Sequence, residues 1–100
     1  MIKVTVSKRN DSYISFTSKG HAGYAEAEKD IVCAGVTALT QMLTNSIEDL
    51  TSDTIKYDII PGRADIHFKD LSEDGKLLVD SFFLGICMIA DDFPEYVKIL

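Results

Sequence analysis

The apolar residues of this sequence switch between two repeat periods, and this alternation is the strongest constraint on its fold. From residue 2 to residue 7 they recur at every second position, which is typical of a β-strand with one buried face. A second alternating run through Ile14 and Phe16 follows a polar cluster at residues 9–12. Because such clusters favour turns, the pattern predicts an antiparallel hairpin that ends at Gly20.

A three- and four-residue period replaces the alternation after Asp30, which is a good N-cap. It predicts a helix that closes at residues 51–53, with one apolar stripe formed by Val32, Val36, Leu39, Leu43, Ile47 and Leu50. We expect a second hairpin next, with Pro61 and Gly62 at the centre of a type II turn. Proline presets φ there, and glycine accepts the positive φ that this turn requires.

A second helix is predicted to begin at Ser72, which can act as an N-cap before two acidic residues, and to end at Pro94. Residues 96–99 suit a short last strand. The predicted order is therefore ββα-ββα followed by that strand. We expect an α+β fold, an antiparallel sheet of two hairpins with two helices on one face, in a single domain that spans residues 1–100.

The charge balance is acidic, with sixteen Asp and Glu against ten Lys and Arg, a net charge of −6 and no block of basic residues. Phosphate binding needs a basic footprint, so this balance argues against direct nucleic acid binding. A basic partner is favoured instead. The apolar stretches are interrupted by Asp80, Ser81 and Gly85, and the first residues show no export signal, so we expect neither a membrane span nor secretion.

The two cysteines, Cys33 and Cys87, form no CxxC pair and have no spacing typical of a zinc site. We therefore expect a cytoplasmic protein with two free thiols. Cys87 belongs to an apolar helical stripe with Val79, Phe83 and Ala90. A thiol in such a stripe behaves as a small buried hydrophobic group, so the expected role of Cys87 is structural.

Cys33 is different because it falls in the first turn of the first helix, on the side that carries Thr37, Thr40 and Thr44. Unpaired N–H groups and the helix dipole favour negative charge at this end, so a thiol there ionises more readily. The thiolate is the nucleophilic form, which makes Cys33 a candidate catalytic residue. The alternative is a cysteine that merely tolerates partial exposure.

His21 precedes Cys33 by twelve residues and lies between Gly20 and Gly23, on a loop that must return to the start of the same helix. A neutral histidine can take the thiol proton and later donate it to a leaving amine. Histidines at strand ends are also common, and a Cys/His pair at arbitrary spacing is a weak signal. The pair is therefore a candidate dyad that needs further support.

Asp30 has two candidate roles, as the N-cap of the helix that carries Cys33 and as a group that orients the imidazole. The capping role ranks first. His67 alternates with charged residues on a strand and is interpreted as a solvated histidine. A metal centre of Cys33, His21 and Asp30 is poorly supported, because a closed zinc site needs four ligands. No phosphate-binding loop occurs either, so no cofactor is expected.

The stretch from Gly20 to Leu39, GHAGYAEAEKDIVCAGVTAL, resembles the signature of the ribosomal-processing cysteine protease family, often called Prp. The preceding hairpin and the following helix match as well. The resemblance implies a bacterial cysteine endopeptidase that removes the N-terminal extension of large-subunit ribosomal protein twenty-seven during ribosome maturation. Family members use the His of GHA and the Cys of DIVCA as a dyad, which are His21 and Cys33 here, and they form homodimers.

The expected mechanism passes through an acyl-enzyme, in which the acyl group is bonded to Cys33 before water releases it. We expect the loop from Ala22 to Lys29 to act as a lid. The candidate substrate-binding residues are Gly20, Ala22, Gly23, Tyr24 and Ala34. Two departures from the family occur: Glu28 replaces a frequent Gly, which is expected to stiffen the loop, and Thr37 replaces a frequent Ser.

Two other classes of function remain open at this point. One is a non-enzymatic module that binds during ribosome assembly, with the GHA loop as its recognition surface. The other is a thiol redox sensor built on Cys33. The sequence offers no resolving cysteine with obvious proximity, which counts against the sensor.

Overall fold

The computed structural model of the chain describes residues 1–26 and 29–100. Within these residues, two helices pack on one face of a five-stranded sheet, which confirms the predicted α+β class. The elements in chain order are β1 (Ile2–Arg9), β2 (Ser12–Lys19), α1 (Ile31–Leu50), β3 (Ile55–Ile60), β4 (Arg63–Phe68), α2 (Glu73–Asp92) and β5 (Val97–Ile99). In the same part of the chain, neither helix combines the length and apolar character that crossing a bilayer requires.

The sheet has the strand order β3-β4-β2-β1-β5. The two predicted hairpins, β1–β2 and β3–β4, are present and join through antiparallel pairing of β2 with β4. The sheet is nevertheless mixed rather than wholly antiparallel, because β5 pairs with β1 in parallel. Helix α2 carries the chain back along the sheet, so β5 runs in the direction of β4 and hence of β1.

The core lies between the sheet and the two helices. Alternate strand residues point into it, as the two-residue period predicts, and Val4, Phe16 and Ile66 are almost fully buried. The helices contribute a buried stripe each, formed by Val32, Val36, Leu43 and Ile47 in α1 and by Val79, Phe82 and Ile86 in α2. The rings of Phe16 and Phe82 meet edge to face with centroids 4.8 Å apart, so the aromatic contact links the sheet to α2.

Helix α1 differs from its predicted faces in two respects. Leu50 is 70% exposed, because it occupies the last position of the helix, where the chain turns toward β3. Thr40 and Thr44 are buried instead of lying on a polar side. Their hydroxyls donate to the carbonyl oxygens of Val36 and Gln41 at 2.7 and 3.0 Å, which satisfies both groups within the helix.

Helix α2 begins and ends as predicted. Ser72 caps it by accepting a hydrogen bond from Gly75 N at 3.1 Å, and the helix ends at Asp92, two residues before Pro94. Cys87 is half-buried and lies beside the buried stripe of α2 rather than inside it. The sequence pattern therefore overestimated the burial of this thiol.

The face of the sheet opposite the helices carries polar side chains. Within the described residues it includes Lys3 and Thr5 of β1 and Thr17 of β2, which alternate with the core residues of these strands. His67 is exposed on β4, opposite Ser15 of β2, as expected for a solvated histidine.

Candidate active site

Cys33 lies in the first turn of α1, three residues after the N-cap Asp30, as predicted. Its backbone N donates to Asp30 Oδ1 at 2.9 Å. Its side chain is half-buried and lines a cavity of about 350 Å³. The thiol is therefore placed at the positive end of the helix dipole, beside a space that can hold part of a ligand.

Asp30 connects the loop to the start of α1. While Oδ1 accepts from Cys33 N, Oδ2 accepts from Tyr24 N at 3.2 Å. The carboxylate is buried, and these backbone hydrogen bonds, above all the one from Cys33, hold the pKa of Asp30 below its usual range. Asp30 is thus an ionised cap that holds the loop and the helix together.

The imidazole of His21 packs on the turn between β3 and β4. Gly62 in that turn has a φ of +79°, as expected for a type II turn after Pro61. A Cβ atom at Gly62 would lie 2.7 Å from His21 Nε2, so only glycine leaves room for the ring in this position. The Gly62 carbonyl oxygen also accepts from Gly20 N at 2.8 Å, which anchors the backbone next to His21.

The structure brings His21 and Cys33 to the same cavity. The backbone N of Ala22, the residue after His21, donates to Cys33 Sγ at 3.2 Å. The imidazole itself packs against Gly62 in this conformation. Proton transfer between the two side chains therefore requires the His21 ring to reorient by rotation about its side-chain torsions.

The predicted substrate-binding residues are divided between the cavity and its surroundings. Gly20 lines the cavity. Ala22 is buried, and its backbone N–H donates to Cys33 Sγ. Gly23 has a φ of +72° and open space around it. Tyr24 is partly exposed, and its ring packs edge to face on Phe93 and Tyr96. Ala34 is exposed on α1, outside the cavity lining.

One wall of the cavity was not predicted from the sequence. The segment Ile59–Ala64, which contains the β3–β4 turn, forms this wall, while Thr37, Thr40 and Gln41 of α1 line the cavity with Cys33. The Pro61-Gly62 pair was a clear signal for a turn, but the sequence contained no sign that the turn would lie against His21. That proximity depends on how β4 pairs with β2.

Two further expectations concern the loop before α1 and metal binding. Ala27 and Glu28 lie outside the described residues. The expected stiffening of the loop by Glu28 therefore concerns a residue outside the part of the chain that the structure describes. Among residues 1–26 and 29–100, no group of three or more His, Cys, Asp or Glu side chains is placed to hold a metal ion.

Comparison with protein families places nearly the whole chain in one group. The family model described as cysteine protease Prp matches residues 1–98. The ribosomal processing cysteine protease Prp of Bacillus subtilis strain 168 is 27% identical over 107 residues, which cover 99% of this chain and 96% of the relative. The protein of the same name from Staphylococcus aureus strain Mu50 is 28% identical over 103 residues, which cover 99% and 97%.

Solved structures show the same fold. The crystal structure of SMU.848 from Streptococcus mutans superposes with a TM-score of 0.85 at 33% identity and covers 99% of this chain and 91% of that one. The processing protease Prp of S. aureus, in complex with a covalently linked product peptide, gives a TM-score of 0.93 at 24% identity, with coverage of 99% and 97%. At 24% identity, the likeness to the S. aureus structure shows a shared fold and no more.

Proposed function

We propose that this chain, which belongs to the cysteine protease Prp family, hydrolyses peptide bonds with Cys33 as nucleophile and His21 as general base and acid. One arrangement supports this choice of residues. Both side chains line the cavity at the start of α1, and the amide that follows His21 donates to Cys33 Sγ at 3.2 Å. The class of enzyme, a cysteine-type peptidase, follows from the family itself.

In the proposed reaction, His21 accepts the thiol proton, and the Cys33 thiolate attacks the scissile carbonyl carbon. A C–S bond forms while the carbonyl π electrons move to the oxygen. When the tetrahedral intermediate collapses, the C–N bond breaks and His21 returns the proton to the leaving amine. Water, activated by His21, then attacks the thioester and releases the acyl group and the free thiol.

The backbone N–H of Ala22 is our candidate donor to the oxyanion. The amides of Cys33 and Ala34 are already bonded to Asp30 Oδ1 and to the Asp30 carbonyl oxygen, at 2.9 and 3.1 Å. The Ala22 amide points at the nucleophilic sulfur, so an oxygen on the carbon bonded to that sulfur lies within its reach. Substrate attack would transfer this hydrogen bond from sulfur to oxygen.

Asp30 is proposed to act as a helix-capping residue that positions the loop, not as a third catalytic group. Both of its oxygens accept backbone N–H groups, from Cys33 and Tyr24. These bonds orient the loop that carries His21 relative to the first turn of α1. An imidazole-orienting role would require one of these oxygens to leave its backbone partner.

We propose that the substrate is a ribosomal protein precursor, and specifically that the enzyme removes the N-terminal extension of large-subunit ribosomal protein twenty-seven during ribosome maturation. The names of the relatives from B. subtilis and S. aureus support ribosomal processing. The net charge of −6 suits a basic ribosomal protein. Gly20, Ala22, Gly23, Tyr24 and Ala34 are proposed to contact the peptide, together with the β3–β4 turn.

We further propose that residues 1–100 act as one catalytic domain, that the protein works in the cytoplasm, and that it forms a homodimer as the family resemblance implies. The two cysteines are free thiols in the structure, which suits a reducing compartment. Light scattering after size-exclusion chromatography tests the dimer, because a mass near 11.1 kDa would identify a monomer.

The decisive experiment incubates the protein with the extended ribosomal precursor and identifies the cut by mass spectrometry. Cys33→Ala is expected to abolish cleavage, since it removes the nucleophile. Cys87→Ala is the matched control, because it removes the other half-buried thiol and leaves the cavity intact. Cleavage by the Cys33→Ala variant at the wild-type rate would show that the nucleophile has been wrongly assigned.

A further inference from the structure

Four of the ten basic residues of this acidic chain form one row across the uncovered face of the sheet. Lys3 of β1 lies opposite Lys19 of β2 on one side and Lys98 of β5 on the other. Arg63 of β4 lies opposite Lys19. All four side chains are exposed. Because neighbouring strands are about 4.8 Å apart, this basic row spans about 14 Å.

The basic row is unfavourable for the stability of the sheet itself. Like charges directly opposite each other on neighbouring strands are destabilising, and the row contains three such pairs in succession. The charge of Arg63 is partly compensated, because its Nε lies 2.7 Å from Asp65 Oδ2. Among the described residues, Lys3, Lys19 and Lys98 form no ion pair within 4 Å, although the charge of Lys19 helps to lower the pKa of Asp65. An arrangement that costs stability and leaves three ammonium groups unpaired favours a role in binding.

The basic row also lies at the end of the sheet that holds the candidate active site. Lys19 is the last residue of β2, two residues before His21, and Arg63 directly follows Gly62. Arg63 lines the active-site cavity as well. A partner bound along the row would therefore lie close to a peptide held in the cavity, because both are at the same end of the strands.

We propose that the basic row docks the phosphate backbone of RNA. In the next row of the same face, Thr5 can add a hydroxyl donor to phosphate oxygens, whereas the Thr17 hydroxyl donates to the Asp65 carboxylate of β4. The tyrosines of β2 and β3 bond to acidic residues of the helices, Tyr13 to Asp80 and Tyr57 to Glu48, so they are turned away from this face. We therefore expect the RNA to bind this face through its phosphate backbone, without stacking of its bases on aromatic side chains.

RNA is favoured over an acidic peptide for a reason that rests on the proposed function. A protease that processes ribosomal proteins meets its substrate close to ribosomal RNA, and RNA presents regularly spaced phosphates to a straight row of cations. The net charge of −6, in contrast, argued against direct binding of nucleic acid. Net charge sums over the whole surface, however, whereas a phosphate within a Debye length of about 8 Å responds to the local row.

The test measures the fluorescence anisotropy of a short labelled single-stranded RNA at about 50 mM and about 200 mM salt. The row variant combines Lys3→Glu, Lys19→Glu and Lys98→Glu. The control combines three exposed cations elsewhere, Lys8→Glu, Arg9→Glu and Lys69→Glu, with the same change in net charge. We expect RNA affinity to fall at least about tenfold in the row variant and the magnitude of the salt slope to fall by about 2, with less than about a twofold loss of affinity in the control.

Three outcomes would overturn the proposal: no RNA binding by the wild-type protein at low salt, equal losses in both triple variants, or competition by polyglutamate as effective as competition by RNA. Circular dichroism checks folding, and the single variant Lys3→Ala replaces the triple variant should the latter be unfolded. Cleavage of a short peptide is followed in parallel. Loss of RNA binding with cleavage retained supports the row alone, whereas RNA binding without any cleavage refutes only the proposed function.

Discussion

Gly62 packs against the imidazole of His21 so closely that a Cβ atom at position 62 would approach Nε2 to 2.7 Å. The contact joins two segments that are 41 positions apart in the sequence. It makes the turn between β3 and β4 a support for the candidate catalytic histidine. The glycine is needed twice, for the positive φ and for the space.

Gly62→Ala is expected to lower kcat for peptide cleavage by about tenfold with a smaller change in KM, because strain at the positive φ shifts the Gly62 carbonyl oxygen that anchors the backbone next to His21. The added methyl group also forces either the ring or the turn to move. Steady-state kinetics on a peptide substrate measures this effect. An unchanged kcat would show that the ring works from another position.

The same variant should also unfold more easily, by about 1 kcal/mol from the positive φ and by a further cost below about 1 kcal/mol from the clash, because the exposed His21 ring can rotate away. Gly23→Ala is the matched stability control, since Gly23 has a φ of +72° but no atom within 4 Å of its added Cβ. Only the cost of the positive φ, without any cost of a clash, is expected at Gly23. In a His21→Ala background the excess cost of Gly62→Ala should disappear in urea denaturation, and persistence of the excess would contradict the contact.

Asp30→Ala is expected to lower the free energy of unfolding at pH 7 by about 1 kcal/mol, through loss of the N-cap. Because the folded pKa of Asp30 lies below its unfolded value of 3.8, its ionised form stabilises the protein above that value. This contribution is lost as the pH falls through the folded pKa. Urea denaturation from pH 7 to pH 2 should therefore show the wild-type and variant curves converging, and a difference in stability that stays constant down to pH 2 would contradict this role of the Asp30 carboxylate.

Alkylation by iodoacetamide should distinguish the two thiols. At pH 7 Cys33 is expected to react faster than Cys87, because it lies at a helix start and beside a cavity shared with His21. His21→Ala should slow the reaction of Cys33 and leave that of Cys87 unchanged. Peptide mapping by mass spectrometry follows both sites in one sample. Equal rates at Cys33 with and without His21 would remove the support for the dyad and favour a binding module.

Lys3→Glu is expected to raise the free energy of unfolding by about 0.5–1 kcal/mol, because it places an acid between Lys19 and Lys98 and turns two repulsive cross-strand pairs into attractive ones. The gain should shrink at high salt, where exposed charges are screened. Urea denaturation at low and high salt measures it, with Lys69→Glu as the control outside the basic row. A destabilised Lys3→Glu protein would contradict the predicted repulsion.

Much of the fold was predictable because its signals are local. Alternation gave β1 and β2, the helical period gave α1, and the capping residues Asp30 and Ser72 marked both helix starts. A strand or helix depends on residues a few positions apart, and so does a cap. The position of Cys33 in the first turn followed from the same short-range spacing.

Burial within α1 was less predictable. Thr40 and Thr44 are buried although both are polar, because each hydroxyl finds an acceptor in its own helix. Leu50 is exposed although it continues the apolar period. Periodicity identifies a face, but where that face ends depends on the extent of the sheet beneath it, which a single element cannot specify.

The sequence by itself determined the elements, their order, the caps and the Gly20–Leu39 motif that carries His21 and Cys33. Only the tertiary structure decided that Gly62 supports the imidazole, that β5 runs parallel to β1, and that four scattered cations form one row. Each of these depends on strand register and on the direction in which a helix returns the chain. Such contacts join residues that are far apart in sequence, so their approach is set by the packing of whole elements and not by the pattern within any one of them.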